Sequence, residues 1–230
     1  MAFLKQYYRC STLSIQMNPF SNDGTDAMCS EPSIMSNNIR LRYSTRDFLT
    51  KPVPDEDLEG VLHAGIRAPS SKNRQPWNIH VLKGDGVRKL TDGMASRIQE
   101  KMNWDIDDDQ AKDFKMALRT MEIIRDVPVL LIIGYVDRIP YHNAAPTETG
   151  VTDRKLMDLV SIGACIENMI REATERGLGS LWVGAYLYAY DIASEAIDSD
   201  EEIVSMVALG YAAEERRPQS GRFSDRIHML

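Results

Sequence analysis

Two short segments near the start of the chain carry the side chains best suited to chemistry. Residues 42–46 have the sequence Arg-Tyr-Ser-Thr-Arg. If this segment is extended, Arg42, Ser44 and Arg46 project to one side, because side chains alternate along a strand. Guanidinium groups present a planar set of donors that matches phosphate oxygens. The segment therefore predicts a phosphate site, and the alternative is a solvated surface with a weak ion pair.

The second segment, residues 68–77, has the sequence Ala-Pro-Ser-Ser-Lys-Asn-Arg-Gln-Pro-Trp. Its hydroxyl and amide groups are the donors and acceptors that could bind the edge of a flat heterocycle. The alternative is that Ser70, Ser71 and Asn73 only form a turn. Trp77 is expected in the core. Together the two segments suggest a phosphorylated aromatic cofactor.

Composition excludes several classes of function. The chain has 230 residues, 43% hydrophobic and 27% charged, which fits one sizeable globular domain. The net charge of −7 and the pI near 5.2 argue against a nucleic-acid partner. The longest apolar run, 127–136, is too short for a membrane span, and no signal pattern opens the chain. Three scattered cysteines are too few for a disulfide framework or a metal site, so we expect the protein to reside in a reducing cytoplasm.

Hydrophobic periodicity predicts an α+β domain with a layered sheet. Residues 1–37 lack a sustained period and are expected to form a poorly ordered arm, with Met35 as an alternative start, ahead of a domain at 38–230. The helices are expected near 54–66, 87–99, 114–124 and 153–176, and the strands at 78–82, 127–136, 181–183 and 203–209. A turn is expected at 84–86 and a long loop at 138–153.

Several side chains outside the two segments have competing interpretations. The aspartates at 105–109 lack the glycine of a calcium loop, so helix capping or a solvated loop is expected. Trp104 and Phe114 suit either stacking on an aromatic substrate or ordinary packing. Cys165 lies among apolar residues of a helix and is expected to be buried and unreactive. No histidine has metal-ligand spacing.

Four segments, in order, resemble the nitroreductase family of FMN-dependent oxidoreductases. The resemblance covers most of the chain from about Asn38. Two of the segments are the ones already described, at 42–46 and 68–77. The third is an asparagine-bearing helix followed by Gly-Leu-Gly at 177–179 and by Gly-Ala at 184–185. The last is Ala-Leu-Gly-Tyr at 208–211. No dinucleotide-binding glycine motif is present.

The resemblance implies a three-layer α/β/α fold with a mostly antiparallel mixed central sheet, in a domain-intertwined homodimer with two FMN sites at the interface. It places Arg42 and Ser44 near the ribityl phosphate and Arg46 near the pyrimidine side of the ring, where a positive charge would raise the reduction potential. Ser70, Ser71 and Asn73 would come from the partner subunit. The turn at Val183 and Gly184 would aim a backbone N–H at flavin N5. The expected cofactor-binding set is completed by Pro69, Gln75 and Arg222.

The tail departs from the family pattern. Pro218 is followed by Gln-Ser-Gly, so the phosphate contact expected of the tail falls to Arg222. Ser161 stands where many members have aspartate, and Ala212 where they have proline.

The implied activity is a ping-pong oxidoreductase. It would use NADH or NADPH to reduce a nitroaromatic, a quinone or another small conjugated electrophile, and no catalytic side chain is expected. The alternatives are a reductive dehalogenase, a flavin-fragmenting relative, a flavin-binding protein without turnover, and an anion-binding module.

Overall fold

The computed structural model describes residues 36–137, 153–197, 199–214 and 228. They belong to a compact unit that runs from Met35 to Leu230. Nearly all of the expected arm at 1–37, nearly all of the expected loop at 138–153, and Arg222 lie outside the described residues. None of the helices within the described ranges is both long and apolar enough to cross a bilayer.

Six helices and four strands make up the described part of the chain. The helices are α1 (Asn37–Arg40), α2 (Asp55–Ile66), α3 (Asp85–Lys101), α4 (Asp108–Ile124), α5 (Asp153–Glu175) and α6 (Tyr190–Glu195). The strands are β1 (Trp77–Lys83), β2 (Val129–Tyr135), β3 (Gly179–Val183) and β4 (Glu202–Gly210). Two short 3-10 helical turns lie at Ser71–Asn73 and Ala185–Ala189.

The four strands form one sheet in the order β1-β2-β4-β3, and every neighbouring pair is antiparallel. A parallel bridge joins Ser44 to Ser180, at the start of β3. Strands β2 and β4 are central and almost wholly buried, as their continuous apolar sequences require. Strands β1 and β3 are the two edges of this sheet, and each lies next to one of the two candidate segments.

Two apolar cores cover the two faces of the sheet, which gives the three-layer α/β/α arrangement. Alternate residues of β2 enter opposite cores: Leu130 and Ile132 face α3 and α4, whereas Leu131 and Ile133 face α2 and α5. The alternation follows from the two-residue repeat of a strand. The expected α+β fold is therefore confirmed.

Three details differ from the sequence-based expectation. The turn predicted at residues 84–86 is wrong beyond Gly84, because α3 already begins at Asp85 and only Gly84 has a positive φ. Helix α4 begins earlier than predicted, at Asp108, since the Asp107 carboxylate accepts the backbone N–H groups of Asp109 and Gln110. The segment 185–195 is helical, although no pattern in the sequence predicts it. The acidic run thus serves as a helix cap, one of the two expected roles.

Candidate functional site

The cationic segment lies along the β3 edge of the sheet. Thr45 donates its backbone N–H to the carbonyl of Ser180 at 2.9 Å, and Leu49 donates to the carbonyl of Tyr211 at 2.8 Å. Thr45 is buried and packs against Gly179, where a Cβ atom would lie only 2.4 Å from the threonine hydroxyl. Glycine at 179 therefore lets the segment approach the strand closely.

The three candidate side chains of this segment differ in exposure. Ser44 and Arg42 are half-buried, whereas Arg46 is exposed. Arg46 donates from Nη1 to the carbonyl of Ser44 at 3.2 Å. The buried Thr45 between two more exposed neighbours follows the alternation expected of an extended segment. The guanidinium of Arg46 is thus accessible to a ligand beside β3.

The second segment forms a tight loop, residues 70–75, that leads into β1. Ser70 Oγ accepts the backbone N–H of Gln75 at 3.0 Å, and the N–H of Asn73 donates to the carbonyl of Ser70 at 3.0 Å. The side chain of Gln75 donates to Asn73 Oδ1 at 3.3 Å. The N–H of Ser71 donates to the hydroxyl of Ser161 on α5 at 3.3 Å. Several of the predicted ligand-binding groups therefore also shape the loop; Pro69, which precedes it, is exposed.

Backbone strain is concentrated in this loop. The positive-φ residues other than glycine, in the described part of the chain, are Lys72 at 52°, Asn73 at 54° and Gln75 at 49°. Each such conformation is unfavourable by about 1–3 kcal/mol and persists only where the surroundings hold it. Strain of this kind clusters at ligand-binding sites, so the loop is a candidate for that role.

A buried ion pair beneath the loop was missed by the sequence analysis. The guanidinium of Arg74 donates from Nε and Nη2 to both carboxylate oxygens of Asp158 on α5, at 3.0 and 2.9 Å. Asp158 falls on the buried stripe of α5 that Ile162, Ile166 and Met169 continue. A carboxylate on an apolar stripe calls for a buried partner, most simply a cation, and that signal could have led to Arg74.

The end of β3 provides open space next to the backbone. Val183 is buried and ends the strand, whereas Gly184 is exposed. Gly184 has φ −101° and ψ −12°, which any residue can adopt. A Cβ atom built there would meet no atom of the described residues within 4 Å. Within the part of the chain that the structure describes, neither the backbone nor the packing requires glycine at 184, so there is room here for a ligand to approach the backbone closely.

Aromatic side chains surround the turn that follows Gly184. Phe114 contacts Tyr188 edge to face, with ring centroids 5.5 Å apart. Lys101 donates from Nζ to the carbonyl of Tyr188 at 2.9 Å and lies 5.8 Å from the ring of Trp104. Phe114 is therefore packed within the protein, whereas Trp104 is 57% exposed and remains available to a ligand or partner.

The two candidate segments lie on opposite edges of the sheet in one chain. Two strands separate β1 from β3, which corresponds to roughly 14 Å at the usual strand spacing. Helix α5 gives a second measure of the distance between the two segments. It contacts the loop at Asp158 and contacts Asn38, just before the cationic segment, at Arg171, about 20 Å further along the helix axis. The segments therefore do not converge within a single chain.

The buried cysteine of α5 offers little reactivity. Burial raises the pKa of the Cys165 thiol to about 12, so it is protonated and inert, as expected. No cluster of histidine, cysteine and carboxylate side chains in the described ranges could hold a metal ion.

Comparison with known proteins identifies the class. The model of the nitroreductase family matches residues 39–211. The chain therefore belongs to the nitroreductase family. A 4-nitrobenzoate reductase from Nocardioides sp. (strain LMS-CY) is 29% identical over 193 residues, 75% of this chain and 78% of that protein.

Two solved structures share the fold. A BluB-like flavoprotein from Clostridium difficile 630 is 28% identical with a TM-score of 0.67, over 82% of this chain and 94% of that one. A nitroreductase with bound FMN from Desulfitobacterium hafniense DCB-2 is 20% identical with a TM-score of 0.62, over 85% of this chain and all of that one. These relatives are consistent with an oxidoreductase of the flavoprotein class.

Proposed function

We propose that the protein is an FMN-dependent oxidoreductase that takes hydride from NAD(P)H and passes it to a small conjugated electrophile such as a nitroaromatic or a quinone. The observation that carries the proposal is the family match over 39–211, because it spans the cationic segment, the strained loop and the open turn at Gly184. The name of the Nocardioides relative adds support for a nitroaromatic acceptor. The scattered cysteines favour a reducing cytoplasm.

The residues present fit an FMN cofactor. Arg42 and Ser44 would hold the phosphate through charge-assisted hydrogen bonds, and Arg46 would place a positive charge beside the ring. Gly184 leaves room for the ring to approach the backbone. When bound, FMN supplies the hydride-accepting and hydride-donating chemistry, in two successive half-reactions. The chain's own part is to bind, orient and shield the reacting ligands, and solvent supplies the protons.

We propose further that each site is shared between two subunits. In one chain the cationic segment and the loop flank opposite sheet edges, so neither edge alone offers both. A twofold axis that brings one subunit's β3 edge to its partner's loop would create two identical sites, because such an interface is self-complementary. Ser70, Ser71 and Asn73 would then face the FMN held mainly by the other subunit.

The outer face of α5 suits the dimer interface. Three apolar side chains at its start are exposed: Leu156 by 48%, Met157 by 47% and Val160 by 60%. Gly163 lies one turn further along the helix, and a Cβ atom there would meet nothing within 4 Å among the described residues. Apolar exposure of this kind is typical of a surface that a partner covers. A second copy is the occupant we propose, because the site is incomplete without one.

An anaerobic titration tests the function. The purified protein would be saturated with FMN and titrated first with NADH and then with NADPH, and the loss of flavin absorbance would be recorded. The reduced protein would then be offered a panel of acceptors: 4-nitrobenzoate, a quinone and a halotyrosine. We expect one FMN per chain, reduction by at least one nicotinamide and reoxidation by the nitro compound or the quinone.

Other outcomes separate the alternatives. A protein that takes up no FMN would overturn the proposal. If inorganic phosphate binds to that protein while flavin does not, the protein is an anion-binding module. Bound FMN that neither nicotinamide reduces would indicate a flavin-binding protein without turnover. Reoxidation by the halotyrosine alone would indicate a dehalogenase. Loss of the flavin chromophore itself in air after reduction would indicate a flavin-fragmenting relative.

A further inference from the structure

Arg74 is buried within a loop whose other members are mostly exposed. Its relative exposure is 6%, whereas Lys72, Asn73 and Gln75 around it are all exposed. Arginine is almost never fully buried without a partner that holds its charge. Arg74 is therefore the one side chain of residues 72–75 that the loop directs into the protein.

The partners of Arg74 come from two other elements. Asp158 on α5 is completely buried and accepts one hydrogen bond from Arg74 at each carboxylate oxygen, which makes a bidentate pair. Asp137, just after β2, accepts a third bond from Nη2 at 2.8 Å and is more exposed. The hydroxyl of Tyr135 donates to Asp158 Oδ2 at 3.3 Å. The hydrogen bonds that Arg74 donates to the carboxylates, led by those to Asp158, outweigh burial and raise the pKa of Arg74, which stays cationic.

The position of Arg74 in the loop matters as much as its partners. It lies between Asn73 and Gln75, and both have left-handed backbone conformations without being glycine. The other hydrogen bonds described for the loop are mostly internal to it, and the N–H of Ser71 also ties it to Ser161 Oγ on α5. The bidentate pair fixes the orientation of a planar group rather than only its distance, so it constrains the backbone on both sides.

We propose that Arg74, held by Asp158, is a positioning residue that keeps the loop 70–75 in its strained, FMN-binding conformation. This inference rests on the proposed function, in which the loop of one subunit faces the FMN of the other. Arg74 itself is buried beneath the loop, so it would act through the loop and not on the cofactor directly. Without the pair, the left-handed residues relax, and Ser70, Ser71 and Asn73 lose their placement.

The test separates positioning from stability. Arg74→Met alone leaves the Asp158 carboxylate buried without its cation, which is strongly destabilising. The double variant Arg74→Met/Asp158→Leu removes both charges, and such replacements are often neutral for stability. Arg74→Lys keeps the charge but cannot form the bidentate pair. Asp137→Asn is the matched control, because it weakens the outer contact and leaves the inner pair intact.

Two measurements are made on the full-length chain. The first is the FMN dissociation constant, from quenching of flavin fluorescence on titration of the apoprotein. The second is hydrogen exchange of the backbone amides of residues 70–75 in the apoprotein. The midpoint temperature of thermal unfolding of the apoprotein is recorded with it. We expect the double variant to unfold near the wild-type temperature, to exchange faster at Ser71 and Gln75, and to bind FMN about tenfold to a hundredfold more weakly. Arg74→Lys should show a smaller loss, and Asp137→Asn little change.

Each outcome decides the inference. A folded double variant that binds FMN as tightly as the wild type overturns it, and so does unchanged exchange in the loop. If the double variant does not fold, Arg74→Lys decides: wild-type affinity overturns the inference, and weaker binding with an unchanged thermal midpoint supports it. A wild-type protein that binds no FMN overturns the proposed function together with this inference, whereas tight wild-type binding with unaffected variants overturns this inference alone.

Discussion

The two edges of the sheet meet their ligand-binding tasks in different ways. At the β1 edge, the loop 70–75 is strained, internally hydrogen-bonded and fixed from below by the Arg74–Asp158 pair. At the β3 edge, the backbone of the cationic segment is held by strand-like hydrogen bonds, while Arg46 is exposed and Gly184 borders open space. One edge is organised by the protein itself, and the other presents charge and space to a ligand.

The difference predicts different consequences of mutation. Changes at the β1 edge should alter the protein first and cofactor binding as a result. Changes at the β3 edge should alter cofactor binding and leave the free energy of unfolding nearly unchanged. The proposed shared site also requires the β1 edge of one subunit to meet the β3 edge of its partner.

The largest expected effect comes from separating the two edges. Val160→Arg places a charge on the exposed apolar face of α5, where we propose that the second copy binds. A buried, unpaired charge at an interface opposes association strongly. We expect a monomer that retains its fold and binds no detectable FMN. Sedimentation analysis gives the oligomeric state, and circular dichroism gives the fold.

Met116→Arg is the control for this variant. Met116 is 66% exposed on α4, on the other side of the sheet from α5. It should stay dimeric and bind FMN. A monomeric Val160→Arg protein that still binds FMN tightly would show that one chain can form the site alone, which would break the comparison.

The next largest effect is expected at the cationic segment. Arg42→Gln removes a charged donor proposed to hold the phosphate of FMN. A hydrogen bond to a charged group contributes about 1.5–3 kcal/mol, so the FMN dissociation constant should rise by about tenfold to a hundredfold. The affinity should also become less sensitive to salt. Titration of apoprotein at two salt concentrations measures both quantities.

Arg119→Gln is the matched control for Arg42→Gln, since Arg119 is an exposed arginine on α4. It should leave affinity and its salt dependence unchanged. Equal effects of the two variants would mean that overall charge, rather than a phosphate site at residue 42, governs binding.

A smaller effect is expected at the open turn. Gly184→Ala adds one methyl group at a position where the described chain offers no contact within 4 Å and the backbone has an ordinary conformation. The free energy of unfolding of the apoprotein, measured by thermal denaturation, should therefore change by less than about 0.5 kcal/mol. Reduction of bound FMN by the nicotinamide should slow by about tenfold, because a small displacement of reacting groups is amplified in rate. Stopped-flow absorbance measures the rate.

Gly86→Ala serves as its control, because a Cβ atom at Gly86 on α3 meets only Leu82, at 3.9 Å. That variant should reduce at the wild-type rate. If Gly184→Ala also does, the open space at the end of β3 is not the place where the ring approaches the backbone.

Much of this architecture can be predicted from the sequence, and the reasons are physical. The buried strand β2 and the long helix α5 follow from a continuous apolar run and a helical repeat. The segment 185–195 was not predicted, because short helical turns carry too few residues to establish a period. The inward direction of Arg74 could not be predicted, because it depends on three neighbouring residues with left-handed backbone conformations. None of the three is a glycine, so the sequence gives no sign of these conformations. The placement of the two segments on opposite edges depends on strand order, which local sequence does not specify.

The smallest effect is expected at Glu201, whose contacts stabilise the β1 side of the sheet. Its carboxylate accepts from Asn78 Nδ2 at 2.6 Å and lies 2.9 Å from His80 Nε2, so it joins β1 to the start of β4. Burial raises the pKa of Glu201, but the hydrogen bonds from His80, Asn78 and Ser199 together outweigh it, so the pKa lies below its usual 4.5.

A carboxylate whose pKa is lower in the folded than in the unfolded protein stabilises the fold at pH values above the unfolded pKa. This stabilisation is lost as the pH falls through the folded pKa. The free energy of unfolding of the wild type should therefore exceed that of Glu201→Gln at about pH 6, and the difference should shrink towards about pH 3. Chemical denaturation across that range measures the difference, while FMN affinity at neutral pH should be the same in both proteins. A pH-independent difference would mean that Glu201 acts through shape and not through charge. A loss of FMN affinity would mean that the β1 edge extends its influence on the cofactor beyond the loop itself.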